Sequence, residues 1–199
     1  NLYISPCRNA CPASVDVPGY MNLVAAGRLV DAYRLIRQEN PFPAVCGRIC
    51  THPCERHCRR SQVDEPLAIC SIKRFVGDIA LSGAFELPGE TPLPPTGKRV
   101  AVIGAGPSGL TCAGDLAKLG YAVTIFEALH LAGGVLVYGI PEFRLPKSIV
   151  QKEVDNLKAL GVKVETNMVI GRILTIEELK DEYGYEAVFV GTGAGLPRF

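Results

Sequence analysis

The sequence predicts a chain in two parts: a small all-α, cysteine-rich domain followed by an α/β domain of the Rossmann type. Three observations predict it. Seven of the eight cysteines (Cys7, Cys11, Cys46, Cys50, Cys54, Cys58, Cys70) lie in the first 70 of 199 residues, where apolar residues recur at helical spacing. The segment ELPGETPLPPTG (86–97) carries four prolines, which disfavour helix and central strand and read as an extended linker. After it, short apolar runs alternate with helical patterns, as in a parallel sheet covered by helices. The expected division is 1–86 for the helical domain, 87–97 for the linker and 98–199 for the first part of the α/β domain, truncated before it closes.

In the first half, Pro18–Ala26 and Leu29–Gln38 read as helices, the second with Leu29, Ala32, Tyr33 and Ile36 on one face, and Asn40-Pro41 stops it. Pro66–Ser82 is expected to be a longer helix, with Leu67, Ile69, Cys70, Ile72, Phe75, Val76 and Ile79 apolar. Helices this short need help to hold together, and a bound cluster could supply it. In the second half the expected strands are Arg99–Ile103, Ala122–Phe126, Val162–Glu165 and Ala187–Val190. The helices between them are Pro107–Leu119, closed by Gly120, Pro146–Leu160, ending at Gly161, and Thr175–Glu182, where Thr175 and Glu178 form a capping box.

Composition excludes several classes. A net charge of +1 gives no support for nucleic-acid or membrane-surface binding through a basic field. The sequence has no run of eighteen apolar residues that would span a membrane. The chain starts at Asn1 without an initiating Met or a signal-peptide pattern, so its true N-terminus is expected upstream. The cysteines accompany what reads as a cytoplasmic nucleotide-binding unit, so metal or cluster ligation is a better reading than a secreted disulfide framework.

The loop Gly104-Ala105-Gly106-Pro107-Ser108-Gly109 is a G-x-G-x-x-G motif between an expected strand and an expected helix. Gly104 permits the tight turn, Gly106 lets a pyrophosphate approach the backbone, and Gly109 lets helix and strand pack closely. The helix N-terminus then offers free N–H groups to phosphate. Glu127 ends the second strand, 18 residues after Gly109, where a carboxylate accepts hydrogen bonds from a ribose 2′-OH. A 2′-phosphate would be repelled there, which disfavours NADP at this loop, while FAD and NAD both remain open. Cys112, one turn into the helix, reads as a core thiol.

Cys7-x-x-x-Cys11-Pro12 resembles the end of a bacterial ferredoxin run, although the preceding cysteines are absent at Asn1 and Ile4. Cys46, Cys50, Cys54 and Cys58 follow at spacings of four, which suits one helix or, because of Pro53, a turn followed by a helix. Seven clustered cysteines exceed one zinc site and suit iron–sulfur ligation better. His52 and His57 read as solvated or locally hydrogen-bonded. The run Arg56, Arg59, Arg60 reads as solvated, or as an offset to the charge of a thiolate-bound cluster.

The ordered segments VPGYMNLVAAGRLVDAYRLI, NPFPAVCGRIC, CERHC, EPLAICSIKRF, GAGPSGL, GGVLVYGIPEFRLPK and AVFVGTGAGLPRF cover nearly the whole chain. Together they resemble the N-terminal part of the glutamate synthase small (beta) subunit. Related architectures occur in dihydropyrimidine dehydrogenase and in the large subunit of the NADH-dependent ferredoxin:NADP oxidoreductase. The resemblance implies a ferredoxin-like helical domain carrying 4Fe-4S clusters, then an FAD-binding domain interrupted by an NAD(P)H domain that lies beyond Phe199. Electrons would pass between NAD(P)H, FAD and the clusters, and no residue of this chain acts as catalytic acid, base or nucleophile. Gly104–Gly109, Glu127 and Ala128 would hold the ADP half of FAD. Gly133, Gly134 and the segment carrying Arg144 would line its pyrophosphate and flavin side. Thr192, Gly193 and Ala194 would form the turn that approaches FAD again.

The sequence also departs from the family pattern. A C-x-x-C pair should precede Cys7, but Leu2 occupies one of its places and the other lies before Asn1. A non-cysteine ligand position falls near Lys73, and Cys70 lies one helical turn earlier on the same face. With Cys70 standing in for that ligand, one 4Fe-4S set is expected at Cys11, Cys50, Cys54 and Cys70. Cys7 and Cys58 match ligands of a second set, and Cys46 is spare. The expected function is an electron-transfer flavoprotein module working with a larger redox complex or catalytic subunit. The alternatives are an accessory iron–sulfur docking or relay subunit, and delivery of electrons for glutamate formation, in which the partner would decide the substrate.

Overall fold

The computed structural model describes residues 4–85 and 92–194. It divides into two units, 1–89 and 90–199. The start of the expected linker, 86–91, lies outside the described residues, and 92–97 form neither helix nor strand.

The first unit is helical: α1 (Pro6–Asn9), α2 (Val17–Ala25), α3 (Leu29–Glu39), α4 (Pro43–Ile49), α5 (Pro53–Arg56) and α6 (Ile69–Leu81). Asp16 caps α2 by accepting the Gly19 N–H at 3.2 Å. Ala32, Tyr33 and Ile36 of α3 form the buried stripe that the sequence pattern indicates. They join Val15, Val17, Tyr20, Cys54, Ile69, Val76 and Ala80 in one core, where each fully buried aliphatic side chain contributes about 1.5–3 kcal/mol. Helices α4 and α6 approach until their backbones nearly touch. A Cβ on Gly47 would lie 2.6 Å from Arg74 Cα, and one on Gly77 would lie 2.7 Å from Ala44 N. A bidentate pair from Arg48 to Asp78, at 2.6 and 3.0 Å, ties the same two helices together.

Helix α6 begins at Ile69, three residues later than the sequence pattern suggests. Ala68 has ψ 62 and supplies no side-chain cap. The cap comes from outside: Glu55 Oε1 accepts the Cys70 N–H at 2.8 Å. The second cysteine group is a helix, a break and a second helix. Cys46 lies in α4, Cys50 ends it, and Cys54 lies in α5 after the left-handed turn at His52 (φ 41).

The second unit contains β1 (Arg99–Ile103), α7 (Pro107–Lys118), β2 (Ala122–Phe126), α8 (Val135–Tyr138), α9 (Lys147–Ala159), β3 (Lys163–Glu165), α10 (Ile176–Asp181) and β4 (Ala187–Val190). The strands are parallel in the order β3-β2-β1-β4, with Val100 opposite Val123 on one side and Ala187 on the other. Four consecutive residues of β1 and of β2 are buried, as expected for a sheet covered on both faces. Ala101 and Phe126 pack with Leu179 of α10 and with Tyr185, whose ring meets that of Phe126 edge-on at 5.8 Å. The capping box forms: Thr175 Oγ1 accepts from Glu178 N at 3.1 Å, and the Glu178 carboxylate accepts from Thr175 N at 2.6 Å. Helix α8 has no counterpart in the sequence pattern, because four residues are too few to show a period.

Candidate functional site

β2 and β4 flank β1 on opposite sides, so the chain reverses its direction of winding at β1. In open parallel sheets this reversal leaves a crevice at the carboxyl ends of the strands. Here it opens as a cleft of about 950 Å³, lined among others by Gly104, Gly106, Pro107, Ser108, Glu127, Ala128, Gly134 and Thr192–Ala194. The phosphate loop is compact because Gly109 has no side chain: a Cβ there would lie 1.9 Å from the Gly104 carbonyl oxygen. Gly106 then caps α7, leaving first-turn N–H groups beside the cleft.

Glu127 is buried at 6% exposure. Its Oε2 accepts the Ala105 N–H at 2.7 Å and its Oε1 accepts the Leu129 N–H at 2.9 Å. Two backbone donors therefore fix the carboxylate at the cleft wall, and its remaining lone pairs suit ribose hydroxyls. Ala105 itself is fully buried behind the loop, and its carbonyl accepts from Gly133 N at 2.7 Å. Gly134 (φ +51) rests on the loop, with its Cβ position 2.8 Å from Gly106 Cα. Gly191 N donates to Ile103 O at 2.8 Å, which brings Thr192, Gly193 and Ala194 to the same cleft.

Arg144 is placed differently. It is exposed and is not among the residues lining the cleft, because its N–H bonds back to Pro141 O at 3.0 Å in a turn that faces solvent. One wall has no signal in the sequence: Met168, Val169 and Ile170. Backbone pairing continues past the end of β3, with Met168 N to Glu127 O at 2.8 Å and Asn167 N to Leu129 O at 3.1 Å, and carries them there. A cleft of this size, with a phosphate loop, an aimed carboxylate and an apolar far wall, fits a flavin or nicotinamide dinucleotide.

In the helical unit, Tyr20 is the point around which the cysteines gather. It is 1% exposed, and its hydroxyl donates to Ile69 O at 3.2 Å. Burial pushes its phenol well above the usual range, and Cys54, Cys70, Cys11 and Cys7 are close enough to push it further as thiolates. Burial also pushes the Cys54 thiol up to about 11, with Lys73 opposing and Cys50, Glu55 and Cys11 adding. Cys7, Cys11 and Cys54 pack in the core that holds Tyr20, and Cys70 follows Ile69, whose carbonyl the Tyr20 hydroxyl reaches. The Cys70 thiol donates to Gly47 O at 3.5 Å, and His52 N–H points at Cys50 Sγ at 3.3 Å. Cys46 sits within α4, and Cys58 is buried between α5 and a 3-10 turn at Arg59–Gln62.

None of the eight cysteines is joined in a disulfide. Among the described residues, no three His, Cys, Asp or Glu groups converge as one metal ion requires. His57 Nδ1 lies 3.0 Å from Pro53 O, Arg60 pairs with Asp64, and Arg56 donates to Thr51 O at 3.3 Å, so these side chains are occupied locally.

Among the described residues, no helix is long and apolar enough to cross a membrane. Residues 3–84 match the family described as dihydropyrimidine dehydrogenase domain II, 4Fe-4S cluster. Residues 80–198 match the pyridine nucleotide-disulphide oxidoreductase family. The chain is 44% identical over 209 residues to the NADP(+)-dependent formate dehydrogenase subunit beta of Moorella thermoacetica, covering 95% of this chain and 29% of that protein. It is 40% identical over 194 residues to the NADPH-Fe(3+) oxidoreductase subunit beta of Geobacter sulfurreducens, covering 96% and 28%. It is 38% identical over 201 residues to the NAD-dependent dihydropyrimidine dehydrogenase subunit PreT of Salmonella typhimurium, covering 98% and 48%. The chain therefore spans under a third of the first two relatives and about half of the third. The chain belongs to the pyridine nucleotide-disulphide oxidoreductase family, with a 4Fe-4S domain of the dihydropyrimidine dehydrogenase type preceding the dinucleotide-binding fold.

Proposed function

We propose that this chain is the electron-transfer module of an NAD(P)H-dependent flavoprotein, with iron–sulfur held in residues 1–86, FAD in 98–199 and a linker at 87–97. The observation that carries the reading is the conjunction, in one chain, of Glu127 at the wall of a phosphate-loop cleft and Cys7, Cys11 and Cys54 packed in the core that holds Tyr20. FAD supplies hydride acceptance and one-electron release. The chain's residues bind and orient it: the Gly104–Gly109 loop and the α7 N-terminus take the pyrophosphate, Glu127 takes the ribose, and Gly133-Gly134 and Thr192–Ala194 close the two sides. Cys11, Cys50, Cys54 and Cys70 hold one 4Fe-4S cluster, and Cys7 and Cys58 belong to a second set.

The relatives' names refer to NADP(+), NADPH and NAD, which supports a nicotinamide donor. Glu127 would repel a 2′-phosphate, so an NADPH donor binds outside this cleft. Those names also call the relatives subunits, which supports a partner subunit as electron acceptor or donor. Eight cysteines with no disulfide among them suit a reducing, cytoplasmic setting. An accessory relay subunit without FAD would have no use for the phosphate loop and its carboxylate.

The test is to purify the full-length protein under anaerobic conditions and measure bound flavin and iron. Both are expected. Iron without flavin would favour the relay subunit, and neither cofactor would overturn the reading.

A further inference from the structure

We infer that Lys147 is a positioning residue for the bound flavin nucleotide, acting from behind the cleft wall; the inference rests on the FAD reading above. Lys147 opens α9. Its ammonium donates to three main-chain carbonyls: Leu136 at 2.9 Å, Leu145 at 3.2 Å, and Ile140. An ammonium has three donors and no acceptor, and here each proton has a carbonyl. Its backbone N–H is taken by the Glu142 carboxylate, 3.2 Å from each oxygen. Residues 136–147 are thereby closed around one charge.

The segment needs such a centre. Pro141 and Pro146 have no N–H to donate, so local backbone bonding is sparse. Arg144 N and Leu145 N both turn back to Pro141 O, and Ile140 N to Val135 O. Carbonyls turned inward must find a donor or lose free energy, and Lys147 provides three bonds at once.

The same helix turn reaches the cleft by a second route. Val150, one turn on, packs under Gly133, with its Cγ1 3.1 Å from the Gly133 Cβ position. Gly133 N is bonded to Ala105 O, and Gly134 rests on Gly106. Tyr138 and Gly139, which line the cleft, belong to the clamped stretch, and Val135 directly precedes it. Lys147 thus makes the first turn of α9, the end of α8 and the cleft wall one body. Its Nζ is committed to carbonyls, so it acts through the wall.

The test uses the full-length protein, wild type and Lys147→Met, which keeps the reach and removes the donors. After removal of flavin, the FAD dissociation constant is measured, together with iron content, the unfolding midpoint of the flavin-free protein and the rate of tryptic cleavage after Arg144. The expected result is FAD binding weakened about tenfold or more, as for the loss of charge-assisted bonds. Cleavage should be several-fold faster, with iron and unfolding midpoint near wild type. An unchanged FAD constant would overturn the inference, whatever the rate of cleavage after Arg144. If Lys147→Met does not fold, Glu142→Ala opens the same ring from its exposed side. It should weaken FAD by a smaller factor and speed the same cleavage, and no change in either would overturn the inference. Wild-type protein that takes up no FAD would overturn the flavin reading itself, a failure visible without any variant.

Discussion

The carboxylate of Glu55, the residue after Cys54, accepts the backbone N–H of Cys70 at 2.8 Å. One side chain therefore caps α6 and sets the distance between two proposed ligands. Glu55→Ala should cost about 1 kcal/mol as a lost cap and lower the iron bound per chain. Glu55→Gln retains a carbonyl acceptor and should keep most of the iron. Equal iron in both variants and wild type, measured by colorimetric assay, would show that the contact does not set the ligands.

The close approach of Gly134 to Gly106 predicts a contrast between two glycines. Gly134→Ala puts a Cβ 2.8 Å from a backbone atom at φ +51, whereas Gly161→Ala at φ +94 meets nothing within 4 Å. Both substitutions strain a positive-φ backbone, Gly134→Ala the more, because its ψ of −127 lies outside the left-handed helical well. Only Gly134→Ala should also lose FAD affinity. Thermal melting and flavin titration separate the two effects.

Glu127→Gln replaces one acceptor oxygen by an NH₂ group facing a backbone donor, at either Ala105 or Leu129. The buried mismatch should cost about 1–3 kcal/mol of stability and weaken FAD binding. A variant with wild-type melting and wild-type affinity would contradict the role given to the carboxylate.

Cys112 is half-buried in α7, and burial, followed by Asp115, raises its thiol above the ordinary range. A thiol raised on folding stabilises the fold below its unfolded value, and that contribution is lost as pH rises through the folded value. The alkylation rate of Cys112 against pH should therefore turn upward at higher pH in the folded chain than in the same chain in denaturant. Coincident profiles would contradict it.

The strands β1, β2 and β4, helix α7 and the capping box at Thr175 were legible because each depends on a local pattern. The start of α6 was not, because its cap comes from Glu55, fifteen residues back. Gly47 and Gly77 carry no local signal for the backbone approach of α4 to α6. Met168–Ile170 reach the cleft through pairing beyond the end of β3. The phosphate loop and Glu127 were legible together, since spacing alone puts them at the ends of adjacent strands. The packing of Cys7, Cys11 and Cys54 around Tyr20 depends on how segments far apart in the chain come together, which spacing does not contain. Arg144 lies in a turn that faces solvent.

The most direct test of the central claim is an anaerobic titration of the full-length protein with NADH and with NADPH, following flavin absorbance and the low-temperature EPR spectrum together. The account predicts that one of the two nucleotides bleaches the flavin and that a reduced iron–sulfur signal grows as the flavin is turned over. Flavin bleaching with no iron–sulfur signal at any potential, or a protein with no flavin to bleach, would contradict it.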